Sequence, residues 1–238
     1  MRVCVCIGLA AGVIDKISTG LISVRGITSL DGELFVMMER HDNQVAVYSI
    51  DDYKLHVLHH LNVPRYEPFV HFDMTSCVRR KCLYMFDINN SCIHKHVLSS
   101  SATSRWPVSF KPVGLSVTPN GNLLATARGP NKLVELSAES GEQVREIALQ
   151  WDIELPWHGV QLASGQFAVC HGVLDKELHR VCLVGDDGRV TRSYGGKMGS
   201  GDGHLNDPRH LAVDEDSAFE MTCIVSSGAL NSTHSLCG

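Results

Sequence analysis

The sequence predicts an all-β chain folded as an incomplete β-propeller of four-stranded antiparallel blades. Three observations predict it. A pattern of short apolar runs recurs about every 44 residues. Within each repeat, Gly, Asn and Asp turn signals cut the pattern into strand-sized pieces. The pattern stops before a ring of such units would be complete.

The chain has 238 residues, 44% of them hydrophobic and 20% charged. That is an ordinary balance for a folded chain able to bury a sizeable core. The formal net charge of -5 argues against non-specific binding to a phosphate backbone, which draws on clustered Lys and Arg. The nine cysteines are an odd number for a fully paired extracellular framework and are scattered from Cys4 to Cys237. They read as reduced thiols of a cytoplasmic protein, several of them buried in strands.

Residues 1–23 read as an N-terminal strand or a ragged start. The apolar run from Val3 to Ile14 has the size of a secretory leader, but a single Arg2 precedes it and no small-x-small site ends it. It is too short for a membrane span, which needs about 20 residues, and no membrane partner is expected.

The clearest repeat runs from Lys111 to Leu149. Gly114–Thr118 is a first strand and Pro119–Asn122 a turn, with Gly121 suited to positive φ. Leu123–Ala127 is a second strand, Asn131–Ser137 a third, and Val144–Leu149 a fourth after the turn at Gly141. The same order recurs upstream. Gly26-Ile27 is placed like Gly114-Leu115, followed by Phe35–Met38 and Asn43–Ser49. Between them lie Phe69–Asp73, a turn at Val78–Lys81, Leu83–Asp87 and Ser91–Val97. Downstream come Pro156–Leu162, Phe167–Cys170, His179–Val184 and Val190–Tyr194. A fifth unit opens at Leu205, and Met221–Val225 has the pattern of one further strand.

The stretch Gly195–Asp214 carries a family resemblance. A glycine-rich run leads to Leu205, then Pro208, then Leu211, Ala212, Val213 and Asp214. This resembles the linker and first strand of an NHL repeat, although Arg209-His210 stands where the family has a small residue. At repeat level the resemblance covers residues 24–219, and residues 220–238 read as a divergent tail. It implies a ring of usually six blades, sometimes five, and six would need roughly 260 residues. The chain therefore holds about four to five blades of a six-bladed ring. The expectation that follows is a truncated or spliced product, marginal as a monomer or self-associating through its open blade edge.

Candidate chemistry is sparse. Cys77, Cys82, Cys92, His94 and His96 are zinc-ligand types, but their spacing is not that of a finger. They read as thiols around a hairpin turn, and no metal or cofactor is assigned. Asp73, Asp87, Asp214 and Glu39 lie near strand ends. Asp73 and Asp214 share a place in their blades and read as turn formers that accept backbone N–H bonds. No nucleophile elbow, P-loop or dinucleotide fingerprint is present. Trp106 and Trp157 precede first strands and read as packing residues.

The resemblance to NHL propellers, including those of tripartite-motif ubiquitin ligases, implies a scaffold for protein recognition, with no enzyme activity expected. No RING, B-box or coiled coil is visible, so in a ligase-type assembly the chain would supply substrate recognition. The acidic balance favours a protein partner over RNA. Arg40, His41, Arg128, His171 and Arg209, each at a strand entry or exit, are the candidate partner-binding residues. The alternative is a metal-dependent hydrolase or lyase of the regucalcin and gluconolactonase type, which are propellers with a central divalent cation.

Overall fold

The computed structural model describes residues 2–7, 15–22, 24–38, 44–51, 54–63, 71–87, 89–172, 178–198, 204–205, 207–213 and 221–224. Every regular element among the described residues is a β-strand. β1 (Arg2–Ile7) and β2 (Asp15–Ile22) form a two-stranded sheet. Four antiparallel four-stranded sheets follow, each built from consecutive strands, and these are propeller blades.

The first blade is β3 (Val24–Leu30), β4 (Glu33–Met38), β5 (Gln44–Asp51) and β6 (Lys54–Asn62). The second is β7 (His71–Cys77), β8 (Cys82–Asp87), β9 (Cys92–Val97) and β10 (Thr103–Pro107). The third is β11 (Lys111–Val117), β12 (Leu123–Arg128), β13 (Lys132–Leu136) and β14 (Gln143–Ala148). The fourth is β15 (Pro156–Gln161), β16 (Phe167–His171), β17 (Arg180–Val184) and β18 (Val190–Gly195). β19 (Lys197–Met198) pairs in parallel with β20 (His204–Leu205), and β21 (His210–Val213) pairs antiparallel with β22 (Met221–Ile224). The last pair is the start of the fifth unit that the sequence pattern announces.

Burial grades across each blade. All six residues of β8 and all five of β16 are buried, whereas β14 and β18 are mostly exposed. A strand flanked on both faces is largely apolar, with Asp87 and His171 the polar exceptions at the ends of β8 and β16, and an outer strand with one edge in water carries charge. This is why Arg145 and Glu146 sit in β14 while Leu123, Leu124 and Ala125 sit in β12.

The chain divides into two compact units, and the division falls between Leu115 and Ser116, within β11. In the first unit, β3 lies against β7. Leu30, Phe35, Met37, Val45 and Val47 of the first blade share one core with Met74, Leu83 and Met85 of the second. Gly26 permits this approach, because a Cβ there would stand 2.8 Å from the Cβ of Met74. In the second unit, Leu124, Leu133 and Ile147 of the third blade pack with Phe167, Val169, Cys182 and Val184 of the fourth. A further cluster joins Val160, Ala168, Cys170 and Val181 to Leu205 and Leu211.

One expectation changes. Asp73 does not end a strand; it lies inside β7, and its carboxylate accepts from the N–H of Met74 and of Leu115, both at 2.8 Å. It ties β7 to β11 instead of forming a turn. The turn is formed by Asp87, which accepts from the N–H groups of Asn89 and Asn90 at 3.1 Å. Trp106 lies in β10, a fourth strand, and packs on Tyr84 with ring centres 5.7 Å apart. Asp214 lies outside the described residues.

Candidate functional site

The site begins at the ends of three strands of the second unit. Arg128 closes β12, Trp157 is the second residue of β15, and Arg209 immediately precedes β21. The Cζ of Arg128 lies 3.6 Å from the Trp157 ring centre, and that of Arg209 lies 4.4 Å from it. Guanidinium planes stack favourably on the indole face, the best aromatic partner for a cation. All three side chains are half-buried.

Each member is held from behind. Arg128 donates from Nε to the Pro156 carbonyl at 3.0 Å. The indole N–H of Trp157 donates to the Gly172 carbonyl at 3.1 Å. Arg209 donates from Nε to the Asp207 carboxylate at 2.7 Å. Asp207 is 1% exposed, and its own N–H donates to Nδ1 of the buried His179 at 2.8 Å. Burial, and then the neighbouring Arg209 charge, push the Arg128 pKa down to about 10, which still leaves the Arg128 guanidinium charged at neutral pH. Asp207 pairs directly with Arg209 and also acts on Arg128 electrostatically, so two guanidinium groups share one buried carboxylate.

The next residue along each first strand repeats the pairing. His158 follows Trp157 and His210 follows Arg209, and their ring centres are 4.0 Å apart. Leu211 donates its N–H to His158 Nδ1 at 3.4 Å. The fourth blade and the fifth unit thus set an aromatic beside an arginine and an imidazole beside an imidazole.

Of the candidate partner-binding residues, Arg128 and Arg209 come together on Trp157. His171 does not join them at the surface. It is 1% exposed, and its Nε2 accepts from Arg180 Nε at 2.8 Å. Arg40 and His41 lie outside the described residues. Trp157 reads from sequence as packing; its part in the cluster follows only from the packing of β15 against β12 and β21. Trp151, in contrast, is 85% exposed.

The second blade holds the other chemical cluster. Cys77 and Cys82 face each other across the β7–β8 hairpin, and both are free thiols, as is Cys92. Asp87, Cys92 and His94 each offer a donor atom within 4.8 Å of the others, and all are buried. Asp87 was absent from the group that the sequence spacing suggested. The register Asp87↔Cys92 and Met85↔His94 is what brings it in.

No family model matches the chain, and no curated protein matches it. Its resemblances are to solved structures. The chain is similar to Kuenenia stuttgartiensis hydrazine synthase at 14% identity and a TM-score of 0.62, over 86% of this chain and 56% of that one. It is similar to the virginiamycin B lyase of Staphylococcus aureus at 14% identity and a TM-score of 0.57, over 87% and 68% of the two chains. It is similar to Myxococcus xanthus glutaminyl cyclase at 13% identity and a TM-score of 0.56, over 84% of each. At these identities the likeness shows the fold alone, a β-propeller, and the chain spans little more than half the length of the first of these proteins. The expectation that the chain has no enzyme activity is corrected here. Two of these relatives in fold are named as a lyase and a cyclase, so the architecture gives no ground for excluding catalysis.

Proposed function

We propose that the chain is an NHL-like recognition propeller that binds an acidic segment of a protein partner through Arg128, Trp157 and Arg209. The observation that carries this reading is the seating of two guanidinium groups on one indole ring at 3.6 and 4.4 Å. Trp and Arg are the residues that most often dominate binding energy at protein interfaces. Guanidinium forks match carboxylates with two parallel hydrogen bonds. Each arginine is fixed by its inner partners, so little side-chain entropy is lost on binding. The overall charge of -5 favours an acidic peptide over RNA, which needs a wider basic surface. In a ubiquitin-ligase-type assembly such a surface would select the substrate.

The test is direct titration of the full chain with fluorescent acidic peptides and with single-stranded RNA of equal length. Peptide binding weakened about tenfold or more by Arg209→Gln, a loss of roughly 1.4 kcal/mol, supports the reading. Binding of RNA alone, or peptide binding indifferent to Arg209→Gln and Trp157→Phe, overturns it.

One observation favours a second reading, a metal-dependent hydrolase or lyase. His158 and His210 stand with ring centres 4.0 Å apart, and imidazole pairs suit divalent transition metals. Under that reading, a stoichiometric metal on purified protein would be lost in a His158→Ala, His210→Ala double variant.

A further inference from the structure

The third strand of each blade begins opposite the end of the second. In the fourth blade, the paired positions there hold His171 and Arg180, with Cys182 two residues on. Arg180 supplies a built-in cation. It donates to His171 at 2.8 Å and pairs with Asp152 at 2.5 Å. In the third blade the same positions hold Ala127, Lys132 and Val134, with no cluster of ligand types.

In the second blade those positions hold Asp87, Cys92 and His94. They are 0%, 0% and 1% exposed. Here every position carries a metal-ligand type, and no Lys or Arg among the described residues pairs with Asp87. The Asp87 carboxylate accepts from two turn N–H groups and from the Asn90 amide, and Arg105 contacts Cys92, so three different donor types gather in one buried cluster.

We infer that Asp87, Cys92 and His94 form a binding site for a zinc-type divalent cation.

The spacing of the donors agrees. Cys92 Sγ lies 3.3 Å from His94 Nε2, and the same nitrogen lies 3.9 Å from Asp87 Oδ2. A tetrahedral zinc with ordinary bond lengths sets its sulfur and nitrogen about 3.6 Å apart and its nitrogen and oxygen about 3.4 Å apart. Shifts of a few tenths of an ångström close the set. One imidazole nitrogen faces both the sulfur and the carboxylate, which is the arrangement of three ligands around one ion. A proton relay would need the two ring nitrogens to face different partners. The mixture of thiolate, imidazole and carboxylate suits zinc and disfavours magnesium or calcium, which take oxygen alone. An outer shell is also in place. Arg105 donates from Nε to Cys92 Sγ at 3.2 Å, and Asn90 donates its amide to Asp87 Oδ2 at 2.7 Å. Such contacts orient ligands. Binding would transfer the Cys92 thiol proton to solvent as the metal–sulfur bond forms.

The experiment is titration of the reduced, metal-free full chain with cobalt(II), followed by zinc(II). The expected result is one equivalent bound, with a thiolate-to-cobalt charge-transfer band in the near ultraviolet that zinc bleaches. Cys92→Ser removes the band. Asp87→Asn keeps the turn, because its side-chain oxygen still accepts from Asn89 and Asn90, but weakens binding about 10-fold to 100-fold. This variant keeps the test open if Cys92→Ser does not fold. A metal held only by His158 and His210 would give no thiolate band, so the two sites are told apart. Absence of the band in the native chain overturns the inference. So does a band that survives Cys92→Ser, or equal affinity of the native chain and Asp87→Asn.

Discussion

Arg180 donates from its Nε to the Nε2 of His171 at 2.8 Å within the fourth blade. That contact fixes His171 as a neutral acceptor. Burial, reinforced by the Arg180 charge, pushes its pKa down from 6.5 to about 4. Between those values the unfolded chain binds more protons than the folded one, so stability rises with pH. The contribution is present in full above pH 6.5 and is lost as pH falls toward about 4. It amounts to at most about 3 kcal/mol. Urea unfolding across this window is expected to show the slope in the native chain and a flattened one in His171→Gln.

Glu135 behaves in the opposite chemical sense but with the same sign. Burial alone would raise its pKa. The Asn122 amide at 2.7 Å and Arg145 at 2.6 Å outweigh it and hold the carboxyl below its ordinary 4.5. Its stabilisation is therefore present above about pH 4.5 and lost as pH falls through the lower folded value. Glu135→Gln is expected to cost about 1–2 kcal/mol at neutral pH, a modest figure because Arg145 is 40% exposed. The two proteins should converge in acid, as followed by thermal unfolding at several pH values.

Asp73 reaches from β7 to the N–H of Leu115 in β11 at 2.8 Å. Asp73→Ala removes that acceptor from a buried donor and is expected to cost about 1–3 kcal/mol. Asp73→Asn, which keeps an acceptor oxygen, should cost less. Faster hydrogen exchange of the Leu115 amide in the alanine variant would locate the effect.

Phe167 is 0% exposed and lies in the core between the third and fourth blades. Phe167→Ala is expected to lose about 3–5 kcal/mol and Phe167→Leu much less. Chemical denaturation of the pair reads the cavity cost directly.

The blades were legible in the sequence because tight turns leave residue signatures. Gly121 and Gly188 both take positive φ at the predicted turns, and most apolar runs between such marks became strands within a residue or two, while β7 ends four residues beyond the predicted Asp73 and β11 starts three before the predicted Gly114. Two fourth strands, β6 and β10, were not read. In β6 the exposed residues mix His56, His59 and His60 with Val57 and Leu58, and in β10 only Trp106 is buried, so no clean apolar period announces either strand. The candidate site was half legible. Arg128 and Arg209 were picked out as strand-end residues, but nothing local joins them to Trp157, because the chain returns to that point only after folding. Asp87 was missed beside Cys92 and His94 for a related reason, since the β8–β9 register decides which side chains share a side.

The described free cysteines, Cys77, Cys82, Cys92, Cys170 and Cys182, are all buried. A thiol reagent can reach them only during transient opening of the strands that cover them. The chain therefore carries its own set of opening clocks, three in the second blade and two in the fourth. Alkylation rates read by mass spectrometry would time the breathing of each blade separately. A bound cation would slow the clock at Cys92 and leave those at Cys170 and Cys182 running unchanged.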